Sequence, residues 1–295
     1  MRPLYMYSTA RSYRYLIAAI TLGAALFACS PSMAQERWTI LPPTPRLPRA
    51  SHSGYVAVNG IQMWYAEFGE GSPVILLHGG LANSDYFGHL VPSLVRHHFR
   101  VIVADSRGQG RSSRSARPYS YHLMASDVLA LLDHLKLRKV DLVGWSDGGI
   151  IGIDIAIHHS ERLNRLFVFG ANTDASGIVA GGDKSPLFTA YLQRARQEYK
   201  RLSNTPDQYD ALLEQMGRMW EAEPQFTAAQ LKSIKAPTTI ADGQYDEIIK
   251  QSHDIYMART IPGARLVILP NVSHFAMLQD PHLFDCAVIA ALSKH

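Results

Sequence analysis

The chain has 295 residues, 47% of them apolar and 18% charged, with a formal charge of +4. That length can bury a large core, and the composition excludes a disordered, collagen-like or coiled-coil protein. Only two cysteines occur, Cys29 and Cys286, and no basic stripe runs along the chain, which excludes a disulfide framework and argues against nucleic acid as a partner.

The first thirty-four residues differ from the rest. Arg2, Arg11 and Arg14 precede the apolar run "YLIAAITLGAALFA", and no acid occurs before Glu36. A basic front before a short hydrophobic stretch is the layout of an export signal, and the run is short for a membrane span. Residues 1–34 are therefore read as a signal peptide cut after "SMA". The alternatives are a lipoprotein signal ending at residue 28, with Cys29 lipidated and so tied to a membrane, and an uncleaved anchor. The mature protein is expected outside the cytoplasm, periplasmic or secreted. Loss of the three arginines lowers the formal charge from +4 to +1.

Residues 35–53 hold four prolines between Pro42 and Pro48, which predicts a stiff linker without a core of its own. The folded domain is expected over 54–295. "GYVAVNG" and "IQMWYAEFG" form two strands around an Asn59-Gly60 turn. "PVILLHGG" is apolar throughout, as in a strand buried on both faces. A helix at about 86–97, the strand "RVIVAD", a helix over "YHLMASDVLALLDHLKL" and the strand "KVDLVGW" follow. A helix at about 147–159 and the strand "RLFVFGA" complete the first half. The rhythm then breaks: residues 173–235 contain helical segments and no strong strand. One of these helices starts at Thr205-Pro206-Asp207-Gln208, a capping hydroxyl followed by proline. The alternation resumes with "TTIADG", a helix at 249–260, "ARLVILP" and a helix from 276. The pattern predicts an α/β fold, a mostly parallel sheet with helices on both faces and a helical lid inserted at about 173–235.

In such sheets, ligands bind beyond the carboxyl ends of the strands. The conspicuous polar residues fall there: His78, Asp105 to Ser112, Ser146, Asp246 and His274. Gly144-Trp145-Ser146-Asp147-Gly148 lies between a buried strand and a helix, the context of a nucleophile elbow. A serine hydroxyl is a poor nucleophile until a base takes its proton. His274, after the last strand, is the candidate base, and Asp246 the candidate acid that orients it, with Asp242 or Glu247 as alternatives. The oxyanion hole needs two backbone amides: Asp147 supplies one, and the "HGG" loop the other, from Gly80 or, as the alternative, Leu81.

Together, "HGG", "DSRGQGRS", "GWSDGG", "GQYDEI" and "VSHF" resemble the α/β-hydrolase family from His78 to His274, and "LVGWSDGG" followed by "FGAN" is similar to its serine esterase and biphenyl-hydrolase-like, valacyclovirase-type members. The resemblance implies an eight-stranded core, no metal and no cofactor, with Asp105 and Arg107 structural. It implies a serine hydrolase of small carboxylic esters acting through an acyl-enzyme. The alternatives are a carbon–carbon bond hydrolase of aromatic ring-fission products and a catalytically silent ligand-binding homologue.

Four residues are candidate substrate contacts: Asp147, Trp145, Met216 and Trp220. Each has a second reading. Asp147 caps its own helix, Trp145 packs under the elbow, and Met216 and Trp220, like Met219 and Phe226, belong to the lid core. The pairs His97-His98 and His158-His159 lack metal-ligand spacing.

Overall fold

In the computed structural model, residues 36–293 are described. The expected signal peptide and Cys29 lie outside the described residues.

Eight strands form one sheet: β1 His52–Val58, β2 Ile61–Phe68, β3 Ser72–Leu77, β4 Phe99–Ala104, β5 Val140–Trp145, β6 Leu163–Phe169, β7 Thr238–Gly243 and β8 Arg265–Leu269. Their spatial order is β1-β2-β4-β3-β5-β6-β7-β8. β2 runs against both of its neighbours; every other pairing is parallel. The β1–β2 turn places Asn59 at φ 42° and Gly60 at φ 82°, the left-handed pair that a two-residue hairpin needs.

The helices are α1 Leu90–Arg96, α2 Tyr121–His134, α3 Asp147–His158, α4 Pro186–Leu202, α5 Tyr209–Ala222, α6 Ala228–Ser233, α7 Gln251–Thr260, α8 Ala276–Gln279 and α9 Pro281–Leu292. Side chains alternate across the sheet. Ile75 and Leu77 of β3 face the core shared with α2, α3, α6 and α7, whereas Val74 and Leu76 face the core shared with α1 and α9. All four are fully buried, which is why β3 reads as a continuous apolar run.

The chain leaves β3 toward β4 on one side and returns to β5 on the other. The loops at the ends of β3 and β5 therefore diverge and leave a crevice between them, as at the switch point of open α/β sheets. Helices α4 and α5 lie in the insertion between β6 and β7 and pack on each other. The helix predicted from Thr205 begins later. Pro206–Gln208 form a 3-10 turn and α5 starts at Tyr209, while the Thr205 hydroxyl bonds Tyr199 instead of capping.

The proline-rich stretch is extended, but it is docked rather than free. Arg194 of α4 donates to the carbonyls of Leu41 and Pro42, Gln279 donates to that of Ile40, and Leu41 and Leu47 pack on the core. Side chains reaching out from α4 and α8 satisfy carbonyls that a proline-rich segment cannot pair within itself. No helix among the described residues is long and apolar enough to cross a membrane.

Candidate active site

Ser146 sits at φ 54°, ψ −121°, between the end of β5 and the first turn of α3. A Cβ on Gly144 would lie 2.3 Å from the Gly148 carbonyl oxygen, and one on Gly148 would lie 2.1 Å from that of Leu77 in β3. Both glycines are thus required by backbone contacts: the first by the elbow itself, the second by the neighbouring strand. The hydroxyl is carried to the crevice while the start of α3 points the same way, which favours negative charge there.

His274 follows β8 and Asp246 follows β7. The imidazole Nδ1 lies 2.6 Å from Asp246 Oδ2, and Asp246 Oδ1 accepts from the amides of Ile248, at 2.7 Å, and Ile249, at 2.8 Å. With Nδ1 engaged, Nε2 is the nitrogen available to a proton from Ser146, which lines the same cavity as His274. Burial alone would lower the His274 pKa, but the charge and hydrogen bond of Asp246 outweigh it and the net direction is upward. Burial would raise Asp246, yet His274 holds it below the usual carboxylate range.

The two alternative acids do other things. Glu247 accepts weakly, at 3.4 Å, from the His274 backbone amide. Asp242 lies behind Asp246, with Asp254 behind it in turn; both are fully buried. Burial, and then the charge of Asp246, drive Asp242 well above the carboxylate range. Asp254 is pushed up to about 7, first by burial.

In the "HGG" loop the amide of Leu81 donates to Gln109 Oε1 at 2.6 Å, which commits it and leaves Gly80 as the candidate loop amide. A Cβ on Gly80 would lie 2.5 Å from the Trp220 ring and 2.6 Å from Asp147 Oδ2. His78 is structural: its Nε2 accepts from the Ser106 amide at 3.0 Å and its Nδ1 faces the Gly79 carbonyl. Asp105 and Arg107 also brace loops. Asp105 accepts from the amides of Ser84 and Arg111, and Arg107 makes a buried two-pronged pair with Asp127, both contacts at 2.6 Å.

The cavity between the sheet and the lid has a volume of about 390 Å³. Its walls combine the elbow, Gly79 and Gly80 with Tyr121 and, from the lid, Phe188, Tyr191, Leu213 and Trp220. Among the described residues lining it there is no lysine or arginine, whereas Asp147, Asp183 and Glu223 all face it.

Asp147 does not cap α3 with its side chain. Its Oδ1 accepts from the Tyr121 hydroxyl at 2.8 Å and its Oδ2 from the Trp220 indole at 3.0 Å. Burial pushes its pKa up to about 6 against these two hydrogen bonds. Trp145 is 1% exposed; it lines the cavity floor and stacks on Tyr86 at 5.2 Å. It therefore packs under the elbow, as one of its two readings has it.

Met216 is a correction. It is fully buried, with Gln109 Nε2 3.8 Å from its sulfur, and does not line the cavity. Helix α5 turns Leu213 and Trp220, seven residues apart, to the cavity, and Leu212, Met216 and Met219 to the core beneath. Met219 and Phe226 likewise stay in the core. Tyr121 and Tyr191 were not singled out by sequence reasoning. Tyr191 donates to the Gly80 carbonyl and Tyr121 to Asp147, contacts that span 111 and 26 positions, and no local pattern marks them.

Residues 72–204 match the family model described as alpha/beta hydrolase fold. The chain is similar to the human protein "Serine hydrolase BPHL", at 28% identity over 75% of this chain and 80% of that one. It is also similar to the "2-hydroxy-6-oxo-6-(2'-aminophenyl)hexa-2,4-dienoic acid hydrolase" of Metapseudomonas resinovorans, at 27% identity over 81% of this chain and 90% of that one. Among solved structures, a hydrolase from Pseudomonas aeruginosa PA01 superposes with a TM-score of 0.64 at 27% identity, covering 83% of this chain and all of that one.

Proposed function

The chain belongs to the α/β-hydrolases, a family of enzymes, and from that premise we propose that it hydrolyses small carboxylic esters through an acyl-serine intermediate on Ser146. The observation that carries this reading is one cavity lined by both Ser146 and His274, with Asp246 bonded to the far side of the imidazole.

In this reading Ser146 Oγ attacks the ester carbonyl carbon as His274 Nε2 takes its proton. The carbonyl oxygen, now negative, is received by the amides of Asp147 and Gly80; one such donor typically contributes about 2.7–4 kcal/mol. The tetrahedral adduct collapses, the bond to the alcohol oxygen breaks, and His274 returns the proton to that oxygen. Water, deprotonated by His274, then attacks the acyl-serine and releases the acid. The aromatic and aliphatic lid wall suits a modest apolar acyl or alcohol group.

Cleavage of a carbon–carbon bond in ring-fission acids is the second reading, supported by the Metapseudomonas relative. The cavity's charge weighs against it. A carboxylate substrate would meet Asp147, Asp183 and Glu223 with no lining lysine or arginine to pair it. The same walls favour neutral or cationic esters.

Fluorophosphonate labelling, followed by p-nitrophenyl esters of increasing chain length, tests the proposal. The expected result is labelling at Ser146 and turnover of short esters. Absence of labelling in a folded protein overturns it.

A further inference from the structure

We propose that His122, Asp154 and His158 form a binding site for a divalent first-row transition metal, zinc being the natural probe, on the α2–α3 surface. This is independent of the ester reading. His122 is the second residue of α2; Asp154 and His158 lie one helical turn apart at the end of α3. His122 Nδ1 is 3.1 Å from Asp154 Oδ1, and His158 Nδ1 is 3.4 Å from the same oxygen. One ligand atom from each residue lies within 4.8 Å of the other two. The two rings meet edge to face, with centroids 5.1 Å apart.

The two nitrogen–oxygen separations fit a shared cation. Zinc bonds nitrogen and oxygen at about 2.0–2.2 Å, and neighbouring ligands around a tetrahedral centre are then roughly 3.3–3.5 Å apart. Asp154 supplies the second argument. It is 3% exposed, and among the described residues its carboxylate meets only these two imidazoles. A buried carboxylate needs a compensating charge. The imidazole side chains are 66% and 38% exposed, so the site is open to an ion from solvent and keeps room for a water ligand. Two imidazoles and one carboxylate select zinc, nickel, copper or cobalt over calcium or magnesium, which prefer all-oxygen sets.

His158 was met in the sequence only as half of an adjacent pair. Its partners are Asp154, four residues earlier, and His122 from another helix. His158 Nδ1 also lies 3.0 Å from the Asp154 carbonyl oxygen. The tautomer that donates from Nδ1 to that carbonyl cannot ligate through the same atom, so the ion requires the imidazole proton on Nε2.

The test is calorimetric titration of zinc chloride into untagged full-length protein, together with the visible spectrum of the cobalt(II) form. The expected result is one strong site, a cobalt absorption of the four-coordinate type, and at least about tenfold weaker binding in His122→Gln and in His158→Gln. Ester turnover in chelator should be unchanged in both variants. His282→Gln is the control, because His282 and Cys286 lie close together on α9. Absence of zinc binding to the wild type, or one-to-one binding that persists in the His122→Gln/His158→Gln double variant, overturns the proposal.

Discussion

The indole of Trp220 donates to the carboxylate of Asp147, 3.0 Å from Nε1 to Oδ2. This bond joins lid helix α5 to the residue immediately after Ser146. The lid wall and the elbow therefore meet at one buried acid, which Tyr121 holds from the other side.

That acid should set substrate preference. Esters with an ammonium group near the carbonyl should react faster than their des-amino analogues, by about 5- to 150-fold, the equivalent of roughly 1–3 kcal/mol for a partly desolvated charge pair. Asp147→Asn keeps the backbone amide and should erase the preference. Since burial brings the Asp147 pKa up to about 6, the preference should also fade as the pH drops below that value. The ratio of kcat/KM for the two esters, in wild type and variant, is the measurement. An unchanged ratio removes Asp147 from substrate recognition.

The proposed nucleophile has a direct test. Ser146→Ala should lower kcat by several orders of magnitude and abolish fluorophosphonate labelling, with an unchanged circular dichroism spectrum. More than a few per cent of residual ester turnover would sink the assignment.

The glycines separate by position. Gly148→Ala drives a methyl to 2.1 Å from the Leu77 carbonyl, a contact between two backbones that neither can relieve alone. It should cost about 1–3 kcal/mol or more and displace Ser146. Gly217, inside α5, has no heavy atom within 4 Å of the added carbon, and Gly217→Ala should stabilise by about 0.5–1 kcal/mol. Thermal denaturation decides; equal effects of the two substitutions would contradict the packing described.

The buried acids behind Asp246 predict a pH dependence of stability. Burial pushes the Asp254 pKa up to about 7 in the folded protein, against about 3.9 for an ordinary aspartate. Between these values the native state holds a proton that the unfolded state has lost, so this group's contribution falls as the pH rises from about 4 to about 7. Asp254→Asn removes that loss. Its stability advantage over wild type, followed by thermal denaturation, should grow with pH across this window, reaching on the order of a few kcal/mol above pH 8. A pH-independent difference refutes the assignment.

Export is the remaining proposal, resting on the basic and apolar composition of residues 1–34. Mass spectrometry of the protein from its native host should find Gln35, or a lipidated Cys29, at the N-terminus. Intact Met1 on a cytoplasmic protein refutes it.

What was legible in the sequence was local or periodic. Buried parallel strands announce themselves as apolar runs, and the β1–β2 hairpin by Asn59-Gly60. The Gly144-x-Ser146-x-Gly148 elbow is legible because its requirement is a backbone one, expressed within five residues. The order of Ser146, Asp246 and His274 is set by the order of the strands that carry them. Tertiary structure alone decided the rest, because each remaining property is a distance between segments far apart in the chain. Leu81 and Gly80 are adjacent loop amides, and only the approach of Gln109 commits one of them. Leu213 and Met216 sit on one helix, and only its docking angle sends the first to the cavity and the second to the core. Asp147 begins its own helix, as expected, yet its carboxylate turns to Tyr121 and Trp220 because those donors arrive from α2 and the lid. Local backbone rules can be read in order along a chain; the pairing of a buried charge depends on which side chains the fold brings around it.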